Sequence, residues 1–126
     1  PEWLIKLHQV YQEGKMAFPT ARDFLVTGFN CTSTCNHKIK KTYPNFHTKN
    51  TIGGINMFYH RNFFKGIIES IKISKKGKNH GWDWAVCRYC NTHNMPILVT
   101  KPSVVQHIGI TGVNTRKNRI DIAEDF

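Results

Sequence analysis

The sequence predicts an α/β fold, a short mixed sheet with about three helices, built as a single domain over residues 1–126. Three observations predict it. Apolar residues recur at helical spacing in three separate stretches, and short β-branched or aromatic runs bounded by Gly and Pro lie between them. The length of 126 residues suits one core and leaves little room for two. With 40% hydrophobic and 21% charged residues spread along the chain, wholesale disorder is excluded, and no internal repeat or low-complexity tract is present.

The elements follow in order. Trp3, Leu4, Leu7, Val10 and Tyr11 share one helix face, which predicts a first helix from Glu2 to Glu13 with Gly14 as its stop. Phe24-Leu25-Val26-Thr27 reads as a short buried strand ending at Gly28. The polar stretch from Asn30 to Asn50 reads as a long binding loop. Ile55 to Tyr59 is a second strand, and Phe63, Phe64, Ile67, Ile68 and Ile71 mark a second helix, with Lys75 to Gly81 as a basic loop. A third helix starts near Trp82, because Trp82, Ala85, Val86, Tyr89 and Cys90 lie on one face, and Asn94 with Pro96 ends it. Ile97-Leu98-Val99 and Val104-Val105 predict two further strands, and residues 109–126 form an irregular tail.

Charge is the largest departure from an average composition: 18 Lys and Arg against 8 Asp and Glu give +10. An acidic partner follows as an expectation, whether nucleic acid, an anionic membrane surface or a phosphorylated small molecule. The basic residues cluster at Lys38, Lys40 and Lys41, at Lys72, Lys75, Lys76 and Lys78, and at Arg116, Lys117 and Arg119. None of these clusters shows the aromatic interleaving of a single-strand binding platform, so nucleic acid is the second choice. No apolar run approaches the roughly 20 residues of a membrane span, and no secretion signal opens the chain. A cytoplasmic location, peripheral to the membrane, is expected. Since the chain opens with Pro1-Glu2-Trp3, it reads as a processed or truncated piece.

The cysteines fall as Cys31-x3-Cys35-x-His37 and Cys87-x2-Cys90-x2-His93, which on paper offers two half-sites for zinc. The second group lies inside the predicted third helix, where Cys90 shares a face with Val86 and Tyr89, so Cys90 reads as core. Without a secretion signal the thiols are expected to be unpaired.

Of the eight acidic residues only Asp83 is framed by structure-making neighbours, in Gly81-Trp82-Asp83-Trp84 at a helix start. It reads either as a general base or as an aspartate that merely favours the helix macrodipole. Burial beside indoles opposes its charge, while the helix N-terminus and nearby Lys favour it.

Taken together, Pro1-Glu2-Trp3-Leu4, Val26-Thr27-Gly28-Phe29-Asn30, Ile52-Gly53-Gly54-Ile55-Asn56-Met57-Phe58, Gly81-Trp82-Asp83-Trp84 and Lys101-Pro102-Ser103-Val104-Val105-Gln106-His107-Ile108-Gly109 form an ordered set. It resembles the acceptor-side half of a GT-A glycosyltransferase of the family 2 kind, over roughly residues 1 to 115. The resemblance implies a partial GT-A architecture without the N-terminal nucleotide-binding half. It implies inverting transfer of a sugar from a nucleotide-sugar donor to a glycan or lipid-linked acceptor, with Asp83 as the general base. By the same resemblance Gly53 and Gly54 line the substrate pocket, and Trp82 and Trp84 offer an apolar face to a sugar ring or serve as packing. His107 corresponds to a histidine that in some relatives helps hold the divalent ion, Mn or Mg in the complete enzyme, or the diphosphate; its alternative is a structural histidine. The family's aspartate pair, spaced as DxD, is absent, and a hard cation requires such oxygen ligands. The isolated chain is therefore expected to have little or no transferase activity.

Overall fold

The computed structural model describes residues 1–32, 37–76, 81–107 and 121–126, with 74–76 by backbone alone. In chain order these form α1 (Glu2–Ala17), β1 (Leu25–Thr27), β2 (Ile39–Thr42), β3 (Phe46–Lys49), β4 (Met57–Tyr59), α2 (Phe64–Lys76), α3 (Trp82–Thr92) and β5 (Ile97–Thr100), with a 3-10 turn at Arg61–Phe63 leading into α2. The strands make one mixed sheet in the order β2-β3-β5-β1-β4. Among the described residues its one parallel pair is β1 with β5, in which Leu25 faces Ile97 and Thr27 faces Val99. The predicted class, a short mixed sheet with three helices, is thus the observed one. Among the described residues no helix is long and apolar enough to cross a membrane.

Strand alternation sorts side chains to two faces. Leu25, Ile97 and Val99 pack under α2 and α3 with Ile67, Val86, Cys87, Cys90 and Met95. Val26 and Leu98 point the other way, to Leu7, Val10 and Tyr11 of α1, with Phe24 and Phe46 completing that side. The early parts of all three helices sit where the apolar spacing places them, and Cys90 is fully buried, as expected.

Four local expectations are corrected. Gly14 does not stop α1, which continues to Ala17. This glycine is buried, and a Cβ on it would lie 2.5 Å from Leu98 Cδ1, so its bare backbone lets the helix sit close to the sheet. A packing glycine and a terminating glycine look alike in sequence.

The supposed loop from Asn30 to Asn50 contains the β2–β3 hairpin, and β3 inserts between β2 and β5. Its alternation is hidden because the inward residues of one face are His47 and Lys49, 7% and 3% exposed. On β2 all four residues are exposed, including Lys40 and Lys41, which suits an edge strand that must not pair with other chains.

Val104 and Val105 form no strand. Both of their N–H groups donate to Gly28 O, at 2.8 and 3.1 Å, and a Cβ on Gly28 would meet Val104 at 2.7 Å. The basic segment from Lys75 begins as helix, since α2 runs to Lys76. Cys35, Lys78, and the tail as far as Ile120 with Arg116, Lys117 and Arg119 lie outside the described residues.

Candidate functional site

The segment from Asn50 to Gly54 lies antiparallel along α3 and positions the paired glycines. Asn91 Nδ2 donates to Asn50 O at 2.8 Å, Ile52 N–H donates to Cys87 Sγ at 3.3 Å, and Gly54 rests on the Trp82 indole. Four extended residues span about 13 Å, and the nine helical steps from Asn91 to Trp82 also rise about 13 Å, so the register holds along the whole length.

Gly54 and Gly53 then differ in role. A Cβ on Gly54 would lie 2.4 Å from Trp82 Cζ2, whereas a Cβ on Gly53 would meet nothing within 4 Å. One glycine is a contact and the other faces open space.

Asp83 stands in the first turn of α3, as expected, and is half-buried. The helix N-cap is Gly81, which offers no side-chain acceptor; instead Asp83 Oδ1 accepts the Trp84 N–H at 2.9 Å and leans over Gly81. One oxygen is therefore committed to the helix start. The second, Oδ2, accepts no hydrogen bond among the described residues. The indoles on either side, Trp82 and Trp84, are 49% and 46% exposed. The structure thus gathers Gly54, Trp82, Asp83 and Trp84 around the N-terminal turn of α3, with Gly53 open beside Gly54.

Sequence reasoning missed a fifth member. The His37 ring lies 6.1 Å from that of Trp84, and its Nδ1 pairs with Thr51 Oγ1 at 2.9 Å. Burial, then the nearby Lys49 ammonium, holds His37 below the usual imidazole range, while Asp83 and Asp121 pull it upward. In the sequence His37 stands out only for its spacing from the cysteines. Nothing local in the chain shows that it folds against the α3 N-terminus. Asp83 also adds to the effect of burial in raising the Cys87 thiol, whose hydrogen bonds to Ile52 act in the opposite direction.

His107 is placed elsewhere. It packs edge-on to Phe29, with ring centroids 6.4 Å apart, in the segment following β5. Its neighbour Gln106 clamps the C-terminal segment, accepting the Ala123 N–H at 2.8 Å and donating to Ala123 O at 3.2 Å. His107 Nδ1 is buried without a hydrogen-bond partner among the described residues. No three His, Cys, Asp or Glu side chains among those residues converge as a metal site. Cys31 is disulfide-bonded, whereas Cys87 and Cys90 are free and buried, which corrects the expectation that all four thiols are unpaired. Pairing depends on spatial approach, which spacing along the chain does not fix. Burial pushes the Cys90 thiol up to about 12, so it is unreactive at neutral pH.

Comparison with models of protein families, with curated proteins and with solved structures returned no match.

Proposed function

We propose that this chain is the acceptor-binding, base-supplying part of an inverting glycosyltransferase, with a partial GT-A-like architecture. The observation that carries the reading is the half-buried Asp83 carboxylate between two half-exposed indoles, beside a glycine open to solvent. A sugar ring laid on Trp82 or Trp84 has an apolar surface to cover, and Gly53 leaves the space above the backbone clear. In this reading an acceptor hydroxyl, hydrogen-bonded to Asp83 Oδ2, attacks the anomeric carbon of the donor. Its oxygen forms the new glycosidic bond as the bond to the nucleoside diphosphate breaks. The leaving group takes the electron pair, and Asp83 takes the proton.

The nucleotide-sugar and its divalent cation belong to the donor half that the resemblance implies. The described residues, His107 included, do not form a cation site, so no step here depends on one. The acceptor is a glycan or a lipid-linked glycan. The net charge of +10 suits a chain working at an anionic membrane surface. The cytoplasmic placement expected from the lack of a secretion signal led to the expectation of unpaired thiols, and the Cys31 disulfide runs against it.

In a polypeptide that adds the donor half, Asp83→Asn is expected to lower transfer at least ~10²-fold while donor binding is retained, as general-base loss requires. Turnover kinetics with a donor-binding isotherm check both. Retained turnover would remove Asp83 from the mechanism.

A second reading, a nucleic-acid-binding module, is favoured by one feature: the exposed β2 edge carries Lys40 and Lys41, with the Lys41 ammonium 4.9 Å from the Tyr43 ring. It requires affinity for an oligonucleotide that falls steeply with salt, and a flat response excludes it.

A further inference from the structure

On the sheet face away from α3, a groove of 420 Å³ runs between α1 and the junction of β4 with the 3-10 turn. Its volume lies within the range of about 300–1,000 Å³ in which small ligands bind. From α1 it takes one helical stripe, His8, Gln12 and Lys15, spaced i, i+4, i+7. From the other wall come His60 and Arg61. Among the described residues no Asp or Glu lines it.

The hydrogen-bond pattern leaves donors at this groove. Gln12 Nε2 lies 3.2 Å from His8 Nε2, which ties these two side chains together along the stripe. Asn62 N–H donates to His60 Nδ1 at 3.3 Å, which leaves Nε2 as the ring nitrogen not used by the turn. Lys15 is held in place by its ammonium lying 4.7 Å from the centre of the Tyr11 ring. Arg61 is exposed, and its guanidinium carries five N–H donors.

Beneath the donors the floor is aromatic. Tyr11 and Phe58 meet edge to face, with centroids 5.8 Å apart and planes at 80°. The Tyr11 hydroxyl donates to Asp23 Oδ1 at 2.5 Å and its ring is buried with the Lys15 ammonium over it, so the half-buried Phe58 ring is the aromatic surface left for a ligand.

Cationic and N–H donors without a carboxylate select an anion, and an aromatic floor selects a planar ring. We propose that this groove binds a nucleoside phosphate, its base against the half-buried Phe58 ring and its phosphate toward Arg61, His60 and Lys15. The site lies on the opposite sheet face from Asp83, so it stands or falls apart from the glycosyltransferase reading.

The experiment is an NMR titration of the ¹⁵N-labelled chain with 5′-AMP, adenosine and inorganic phosphate in separate arms. Saturable shifts are expected at His8, His60 and Arg61, with AMP binding at least ~10-fold more tightly than either half-ligand. Lys15→Glu and Arg61→Glu are both exposed substitutions and are expected to weaken AMP at least ~10-fold with the amide spectrum otherwise unchanged. Three outcomes overturn the proposal: no saturable shift at these residues up to ~10 mM AMP, affinity unaffected by both charge reversals, or shifts only with an oligonucleotide or with phosphatidylserine vesicles.

Discussion

Under α1 the sheet presents Val26, Leu98 and Phe46 to Leu7, Val10, Tyr11 and Phe24, whereas His47 and Lys49 of β3 point to the other side and are buried there too. The first side is held by hydrocarbon and edge-to-face rings, with Tyr11 and Phe24 at 5.9 Å and 88°. On the second, polar groups are covered and most are paired, although Asn30 Oδ1 and Asp125 Oδ2 are buried without a hydrogen-bond partner among the described residues. Lys49 Nζ donates to Cys31 O at 3.0 Å, and His47 Nδ1 pairs with Thr42 Oγ1 at 2.9 Å. The covering chain is itself tied down: Asn30 N–H donates to Ser103 Oγ at 3.0 Å, Ser103 donates to Asp125 at 2.5 Å, and Thr32 bonds Glu124 through its hydroxyl. The difference teaches that similar burial leads to different dependence on pH: the first side buries the Tyr11 phenol, which burial raises, whereas the second buries Lys49 and His47, which burial lowers.

The largest expected break is on the apolar side. Leu98→Ala removes a fully buried side chain packed against α1 and β1, and it should lower unfolding free energy by ~2–5 kcal/mol in denaturant titration, equally at pH 7 and pH 9. A loss under ~1 kcal/mol would show that this side is not the main core.

The next prediction concerns Lys49. Burial brings its ammonium down to about 8, against the upward pull of Glu124 and Asp125, while the unfolded chain keeps a value near 10.4. Between these values the folded chain binds fewer protons than the unfolded one, so this group makes stability rise with pH; below about 8 the full penalty is in force. Lys49→Met removes that penalty together with the Lys49 hydrogen bond to Cys31 O, a cost that does not vary with pH. Relative to the natural chain, the variant should therefore lose up to ~3 kcal/mol of stability as pH rises from 8 to 10.5. Burial also raises Tyr11 and Cys90, but both shifts are common to the two proteins and cancel in the difference. Denaturation curves at several pH values provide the measurement, and a difference flat with pH would break the contrast between the two sides.

The smallest effect sharpens the comparison at the candidate site. Gly54→Ala must displace the Trp82 indole and should cost ~1–3 kcal/mol with a shift in tryptophan fluorescence. Gly53→Ala should stay within ~0.5 kcal/mol, since its Cβ enters open space. The reverse order would show that Asn50–Gly54 does not lie on α3 as described.

Legibility followed the range of the interaction. The third helix was readable to its first residue, because Trp82, Ala85, Val86, Tyr89 and Cys90 repeat at helical spacing and Gly81 precedes them; the place of Asp83 in the first turn came with it. Gly53 and Gly54 stood out as a pair, but their different surroundings did not. β3 was hidden because its buried residues on one face are His and Lys, and alternation is detected only when the inward residues are apolar.

The chain alone therefore determined the α/β class, the three helical stretches, the carboxylate at the start of α3 and the burial of Cys90, all of which rest on residues within a few turns of one another. Tertiary structure alone decided that Gly14 is a packing contact, that β3 enters the sheet beside β5, that Cys31 is disulfide-bonded, and that His37 lies against Trp84. Periodicity records which face of an element is buried, but not what covers it, and each of these outcomes depends on a partner distant along the chain.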